Sequence, residues 1–154
     1  MSYVAGIDLS TVALDLVLID EDGKQPRAYT YELGAGDIVE RIRTIGTTWP
    51  SRHSSIWDDV LAIGIERPAG RFGVAQVSMA FGAVLAMLPT GLLVKPWQPA
   101  QWRIAVTIKG NATKDEVAIR ARVLGAPIWK RQDSYDAYLI ARATLSVLER
   151  EAAA

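Results

Sequence analysis

The residues best suited to chemistry in this chain are four acids that lie on three separate segments. Asp8 lies within an apolar run near the N-terminus, and Glu66 ends a second apolar run. Asp133 and Asp136 stand three positions apart where a C-terminal amphipathic stretch begins. A carboxylate beside buried strand residues costs free energy unless it is paired or binds a cation. We therefore expect the four acids to share one site that holds cations.

The cation expected at such a site is a hard one. The chain contains no cysteine and one histidine, so carboxylate oxygens are the main ligands that it offers. Mg²⁺ and Mn²⁺ prefer such oxygens, and paired ions of this kind catalyse phosphodiester hydrolysis. Simpler explanations exist for Asp133 and Asp136, as first-turn acids that favour the helix dipole, and for Glu66, as an exposed strand-end acid. Asp8, inside a core strand, is the hardest to explain without a ligand.

The elements that must position these acids follow from the apolar pattern. Strand patterns occur in five segments: Val4–Leu9, Val12–Asp20, Gln25–Leu33, Leu61–Glu66 and Leu92–Lys95. Helix patterns occur in four: Ile38–Thr48, Val74–Leu88, Thr113–Leu124 and Asp133–Glu149. Three successive strands indicate an antiparallel meander, and the uninterrupted apolar run of the fourth indicates a central parallel strand. We predict one α/β domain over residues 1–154, with a five-stranded mixed sheet flanked by helices.

The charge is balanced overall but unevenly placed. Residues 1–60 contain ten acids and five bases, whereas residues 95–131 contain eight bases and two acids. A basic segment between acidic ends can bind a polyanion such as nucleic acid. A solvated helix face explains the same pattern equally well. Trp97 and Trp102, within the basic segment, fit either stacking on unpaired bases or the core packing that we favour.

Composition also argues against several classes of protein. The absence of cysteine excludes a disulfide scaffold and fits a cytoplasmic protein. No basic segment followed by an apolar one opens the sequence, so we expect no secretory signal. The segment Val74–Val94 has no charge over 21 residues, but Pro89 and Gly91 interrupt it. We interpret it as a buried helix, a turn and a strand, and we expect no membrane span.

Four short motifs contain or adjoin the candidate residues in a characteristic order. They are Gly6-Ile7-Asp8, Ile63-Gly64-Ile65-Glu66, Lys109-Gly110-Asn111-Ala112-Thr113-Lys114 and Gln132-Asp133-Ser134-Tyr135-Asp136-Ala137. Their order and spacing resemble the RuvC family of Holliday junction resolvases, within the ribonuclease H-like superfamily. The resemblance covers nearly the whole chain. Ser10 and Asp15 stand where that family usually has glycine, which is typical of a phage-type or otherwise divergent member.

The resemblance implies a fold, an activity and a set of catalytic residues. The fold would be RNase H-like, and the activity would be Mg²⁺-dependent cleavage of four-way junctions or related branched DNA. Asp8, Glu66, Asp133 and Asp136 would hold two Mg²⁺ ions, for which Mn²⁺ can substitute, about 4 Å apart. The products would carry a 5′ phosphate and a 3′ hydroxyl. Lys114 would act with the acids by meeting the scissile phosphate or its neighbour.

The resemblance also implies contacts with DNA and with a second subunit. Lys109 and Lys114 lie in the glycine-led loop, and the other DNA-binding candidates are Arg67, Phe72, Arg103 and Arg120. After Glu66 the family places an aromatic or bulky residue, whereas Arg67 follows here and Phe72 comes later. The helix over residues 74–88 is apolar on all sides, so both of its faces should be buried. One face can cover the sheet, and the other can form a homodimer or lie within the same subunit.

Three other functions remain open at the level of sequence. A protein of this fold could bind branched DNA without cutting it, although clustered acids would then oppose phosphate binding. The same nuclease chemistry could act on an RNA–DNA hybrid. The segment Asp8-Leu9-Ser10-Thr11 could instead form the phosphate loop of an actin-like or sugar-kinase ATPase, which needs two such domains and a longer chain.

Overall fold

The computed structural model describes residues 1–70 and 74–154, which form five strands and five α-helices. The strands are Tyr3–Leu9 (β1), Ala13–Asp20 (β2), Arg27–Glu32 (β3), Val60–Glu66 (β4) and Leu93–Trp97 (β5). The helices are Ile38–Thr48 (α1), Val74–Met87 (α2), Pro99–Ala105 (α3), Lys114–Val123 (α4) and Gln132–Ala152 (α5). All nine predicted elements are present, with ends that agree within a few residues. The additional helix α3 overlaps residues 96–104, a segment whose sequence fits either a loop or a short helical turn.

The strands form one mixed sheet in the order β3-β2-β1-β4-β5. β1, β2 and β3 pair antiparallel, as expected for a meander, whereas β1 pairs parallel with β4 and β4 pairs parallel with β5. The predicted α/β fold with a five-stranded mixed sheet is therefore confirmed. β1 and β4, which end at the first two candidate acids, are neighbours in the middle of the sheet.

Each face of the sheet is covered by a separate group of helices. Successive residues of a strand point to opposite faces, so the side chains of β1 are divided between two cores, one on each face of the sheet. Ala5 and Ile7 belong to a core shared with α1 and α2. Val4 belongs to the second core, which contains much of α5 together with residues of α3 and α4. Gly6 and Asp8 share the α5 face with Val4, because their positions differ by even numbers.

Two paired glycines allow α5 to lie directly on the sheet. Gly6 and Gly64 are partners across the parallel β1–β4 pair. A Cβ added to Gly6 would lie 2.0 Å from the backbone oxygen of Ala137 in α5, and one added to Gly64 would lie 2.1 Å from Thr144 Oγ1. These distances are far below van der Waals contact, so only glycine permits this approach of helix and strands.

Helix α2 is buried on one side only. Ala80 and Val84 are fully buried, whereas Met79 is 48% and Leu85 is 37% exposed. The alternative in which this helix is sandwiched inside one subunit is therefore wrong for the single chain. Among the residues described, 1–70 and 74–154, no helix is both long enough and apolar enough to cross a membrane.

Aromatic side chains fill more of the core than the sequence pattern suggested. Trp97 and Trp102 are buried, so neither is available to stack on unpaired bases. The polar segment 49–59 also contributes to the core, because Trp49 and Trp57 at its two ends are buried and lie 6.2 Å apart between ring centroids.

The close packing at Gly6 generates a test of the fold. Gly6→Ala places a methyl group against backbone atoms of Ala137 and Ala141 that cannot move independently of α5. We expect the free energy of unfolding to fall by about 1–3 kcal/mol or more, as for other overpacked cores. The control is Gly82→Ala in α2, where the added Cβ meets nothing within 4 Å. It should raise the stability by up to about 1 kcal/mol through helix propensity. Urea denaturation that gives both variants the same stability would contradict the packing described.

Candidate active site

Asp8 and Glu66 lie side by side at one edge of the sheet. The parallel register pairs Ile7 with Ile65, so the next residue on each strand is one of these acids. Each acid follows a glycine of the Gly6–Gly64 pair by two positions and therefore points to the same face as that glycine. Asp8 is 8% exposed, and Glu66 is partly buried. Both carboxylates thus face the layer that contains α5.

The first turns of α5 bring Asp133 and Asp136 to the same place. Each of Asp8, Asp133 and Asp136 offers a carboxylate oxygen that lies within 4.8 Å of the others. Separations of this size suit oxygen ligands around one divalent cation. The structure therefore brings three of the four predicted acids into one cluster and places Glu66 beside it.

Burial and mutual repulsion raise the pKa values of Asp8 and Asp136, and burial raises the pKa of Glu66. Burial raises the pKa of Asp8 well above its ordinary value, and the charges of Asp136, Glu66 and Asp133 raise it further. Burial, Glu66 and Asp133 raise the pKa of Asp136 to about 7. Burial also raises the pKa of Glu66, although a hydrogen bond from Trp102 and the charge of Arg103 oppose that effect. Such a site is stabilised by an external positive charge.

The hydrogen bonding of the cluster shows the same need for a ligand. Oδ1 of Asp136 is buried and has no hydrogen-bond partner. A buried acceptor without a partner costs free energy, and a divalent cation would satisfy it. The donor set of carboxylate oxygens fits Mg²⁺ or Mn²⁺. Asp8, Asp133 and Asp136 are thus the residues that could hold a metal ion, with Glu66 at the margin of the same site.

Glu66 is held by a tryptophan from α3. Trp102, which is fully buried, donates its indole N–H to Oε2 of Glu66 at 2.5 Å. This bond fixes one carboxylate oxygen of Glu66 and leaves Oε1 for another partner. The prediction that Trp102 packs in the core is confirmed. Its bond to Glu66 was not predicted, because it joins residues 36 positions apart.

Lys114 and Arg103 are among the basic residues that lie close to the acids. Lys114 is the first residue of α4, which begins at a capping box formed by Thr113 and Glu116. Its Nζ lies 3.7 Å from Oδ1 of Asp133, and its side chain is 73% exposed. Arg103 in α3 is near enough to lower the pKa of both Asp136 and Glu66. Both cations are therefore placed at the mouth of the acidic cluster.

The remaining predicted DNA contacts lie farther out. Lys109 and Arg67 are exposed, and Arg67 immediately follows Glu66. The guanidinium of Arg120 binds the carbonyl of Val106 at 2.7 Å and Oγ1 of Thr107 at 2.6 Å, so it joins α4 to the end of α3. Phe72 lies outside the described residues. Contact of these side chains with DNA stays a prediction.

Asp15 and Arg131 form an ion pair at the edge of the site. This pair was not predicted from the sequence. Asp15 in β2 is the antiparallel partner of Asp8 and is 1% exposed. Arg131 Nη2 lies 3.0 Å from Asp15 Oδ2 and 3.1 Å from Asp133 Oδ2. The sequence offers a clue to this pair, because Ser10 marks the turn between β1 and β2. The antiparallel pairing of residues counted outward from the bond between Ser10 and Ala13 places Asp15 opposite Asp8.

Comparison with known proteins identifies the architecture. No protein-family model matches the sequence, and no curated protein matches it. The structure of Thermus thermophilus RuvC is 25% identical and superposes with a TM-score of 0.73, covering 96% of each chain. The chain has the RuvC fold. A second structure, T. thermophilus RuvC in complex with Holliday junction substrate, is 22% identical with a TM-score of 0.70, covering 97% of this chain and 96% of that one.

The match extends over 96% of the chain, so the predicted resemblance to RuvC is confirmed at the level of the fold. The elements that carry the acids in this fold are β1, β4 and the start of α5. Asp8 and Glu66 therefore lie at the carboxyl ends of two central parallel strands, where sites in α/β sheets commonly form.

The raised pKa values predict how stability depends on pH and metal. Between about pH 4 and the pKa of Asp136 at about 7, the folded state binds more protons than the unfolded state. Stability in EDTA should therefore fall as pH rises through this window. Mg²⁺ or Mn²⁺ should raise the melting temperature more at about pH 8 than at about pH 5, because at low pH it must displace protons.

Thermal unfolding at both pH values, with EDTA and with metal, measures this effect. Asp136→Asn is the comparison variant, since it removes the group whose pKa is about 7 and should reduce both dependences, with Asp8 and Glu66 accounting for the remainder. If Mg²⁺ and Mn²⁺ leave the melting temperature of the native protein unchanged at about pH 8, the acids do not form a metal site.

The bond from Trp102 to Glu66 supports a second prediction. Trp102→Phe removes the indole donor and should weaken metal binding several-fold, up to about tenfold, because residues that orient ligands tune metal affinity. Trp97→Phe is a matched control, since the buried Trp97 indole donates instead to Thr144 Oγ1 at 2.9 Å. Both changes should lower stability by about 1–3 kcal/mol. Calorimetric titration with Mn²⁺ that finds equal affinities for the two variants would refute a role for Trp102 at the site.

Proposed function

We propose that this protein is a metal-dependent endonuclease that resolves Holliday junctions or related branched DNA. The observation that carries the proposal is the convergence of Asp8, Asp133 and Asp136 within 4.8 Å of one another on a RuvC fold. A structural neighbour of this chain, T. thermophilus RuvC, has been solved in complex with Holliday junction substrate. The combination supports cleavage rather than binding alone, because unneutralised acids would repel phosphates.

The proposed roles of the acids follow from their positions. Asp8, Asp133 and Asp136 would hold Mg²⁺ or Mn²⁺, and Glu66, whose carboxylate Trp102 orients, would help to hold a second ion. Bound ions would supply Lewis-acid chemistry, which would activate the attacking water and stabilise the negative charge on the departing 3′ oxygen. Cleavage on that side of the phosphate leaves a 5′ phosphate and a 3′ hydroxyl. The burial of Asp8 limits the access of bulk water to its own carboxylate.

The basic residues near the site serve to bind and orient the phosphate backbone. Lys114 is long, exposed and already adjacent to Asp133, so it can turn from that carboxylate to a phosphate oxygen. Arg103 neutralises part of the negative charge around Asp136 and Glu66. Lys109 and Arg67 extend the same surface as peripheral phosphate contacts.

A homodimer through α2 would supply two such sites. The face of α2 that contains Met79 and Leu85 is apolar and exposed in the single chain. Burial of that face against its copy removes apolar area from water, and a two-fold interface is self-complementary. Two sites related by two-fold symmetry match the paired cuts that resolve a four-way junction.

The decisive experiment is cleavage of a labelled mobile four-way junction in Mg²⁺, in parallel with duplex, flap, single-stranded and RNA–DNA hybrid substrates. We expect paired symmetric nicks in the junction. Asp8→Asn should reduce the rate by at least about a thousandfold, because it removes a charged ligand without adding bulk. Asp115→Asn, an acid in the first turn of α4, is the matched control and should cut normally.

Other outcomes would change the assignment in defined ways. Cutting of flaps or hybrid alone would retain the metal site and replace the substrate. Junction binding without cleavage of any substrate would favour a branch-binding protein. Equal cleavage by the native protein and Asp8→Asn would show that the acidic cluster is not the active site.

A further inference from the structure

A buried carboxylate with an elaborate set of partners lies next to the proposed metal site. Asp15 is 1% exposed, and the guanidinium of Arg131 approaches both of its oxygens, with Nε 3.2 Å from Oδ1 and 3.3 Å from Oδ2. Oδ1 also accepts hydrogen bonds from Thr30 at 2.7 Å and from Ser134 at 3.0 Å. These contacts involve three elements and the residue that precedes α5. Asp15 is thus fully partnered by the protein itself and needs no metal ion.

Arg131 connects this anchored carboxylate to the metal site. Its Nη2 lies 3.0 Å from Asp15 Oδ2 and donates a hydrogen bond to Asp133 Oδ2 at 3.1 Å. On the other side, Nη1 lies 3.8 Å from Glu32 Oε1. A planar guanidinium held on one edge by a buried carboxylate has a defined orientation. It therefore presents a fixed donor to Asp133.

The bond from Arg131 restricts the orientation of the Asp133 carboxylate. Asp133 lies in the first turn of α5, and its side chain is 26% exposed. Arg131 binds Oδ2, whereas Oδ1 lies toward Lys114. Because ligands that are oriented in advance bind metal more tightly, this restriction favours capture of a cation.

We propose that Arg131, fixed in place by Asp15, is a positioning residue that orients Asp133 for metal binding. The inference rests on the proposed function, since it assigns a role within the same site. Arg131 itself touches neither the metal ion nor the reacting phosphate.

The competing explanation is charge balance alone. Asp15 is negative and lies close enough to Asp8 to raise the pKa of Asp8, and Arg131 would then serve only to neutralise it. The two explanations differ for variants that keep the net charge. Charge balance is preserved by Arg131→Lys and by the double variant Asp15→Asn/Arg131→Gln. Orientation of Asp133 is lost in both, because a lysine lacks the planar fork and the neutral pair lacks a charged anchor.

The test is calorimetric titration of the full-length protein with Mn²⁺, with thermal unfolding in EDTA as a check that each variant is folded. Arg142→Lys is the matched control, since Arg142 lies on the same helix and donates to the carbonyl of Gly23 instead. We expect the native protein and Arg142→Lys to bind Mn²⁺ equally. Arg131→Lys and the double variant should bind about tenfold more weakly or worse. The Mn²⁺ concentration for half-maximal junction cleavage should rise by the same factor, while the rate at saturating Mn²⁺ changes less.

The possible results separate this inference from the proposed function. Native Mn²⁺ affinity in both charge-preserving variants would overturn the positioning role and leave the metal site intact. Absence of Mn²⁺ binding by the native protein would overturn the proposed function and this inference together. The positioning role would also be overturned if Arg142→Lys bound Mn²⁺ as weakly as the Arg131 variants, because the loss of affinity would then follow from any change to α5.

Discussion

The contact between α5 and the β1–β4 pair is the constraint on which the rest of this structure depends. Gly6 and Gly64 are paired, and the absence of their side chains lets the helix lie on the two strands. In each strand the acid follows the glycine by two positions, so it shares the same face at the strand end. The helix residue above Gly6 is Ala137, which directly follows Asp136. The contact that closes the core therefore also brings the acids together.

This arrangement places like charges where the protein provides few compensating groups. Asp8 and Asp15 are partners across β1 and β2 and are both buried, yet their surroundings differ. Asp15 receives a guanidinium and two hydroxyl donors, whereas Asp8 faces other acids that raise its pKa. Repulsion of this kind opposes folding and persists in proteins chiefly where a ligand relieves it. The contrast separates a carboxylate that serves the fold from one for which we propose a bound cation.

Sequence patterns were sufficient to predict the fold and the candidate acids, because both depend on local periodicity and on where apolar runs end. The strands, the helices and the mixed sheet follow from such patterns, and so does the position of Asp8 at a strand end. The supporting residues were not predictable in the same way. The bonds of Trp102 to Glu66 and of Arg131 to Asp15 join positions 36 and 116 apart, so they exist only once the sheet register and helix packing are set. The exposed face of α2 was likewise ambiguous, because apolar composition does not distinguish intramolecular from intermolecular burial.

The low identity to T. thermophilus RuvC, 25% over 96% of both chains, is understandable in these terms. The fold requires small residues at Gly6 and Gly64, and the proposed chemistry requires acids at the adjacent edge; most other core positions need only be apolar and of suitable volume. The residues that orient the acids have more freedom, because different donors can hold a carboxylate from different elements. Two sets of side chains do so here. One is the pair of Asp15 in β2 and Arg131, the residue preceding α5, and the other is Trp102 in α3. Where proteins of this fold keep such a site, divergence should therefore concentrate in these supporting side chains, because a change on one element can be offset by a change on another.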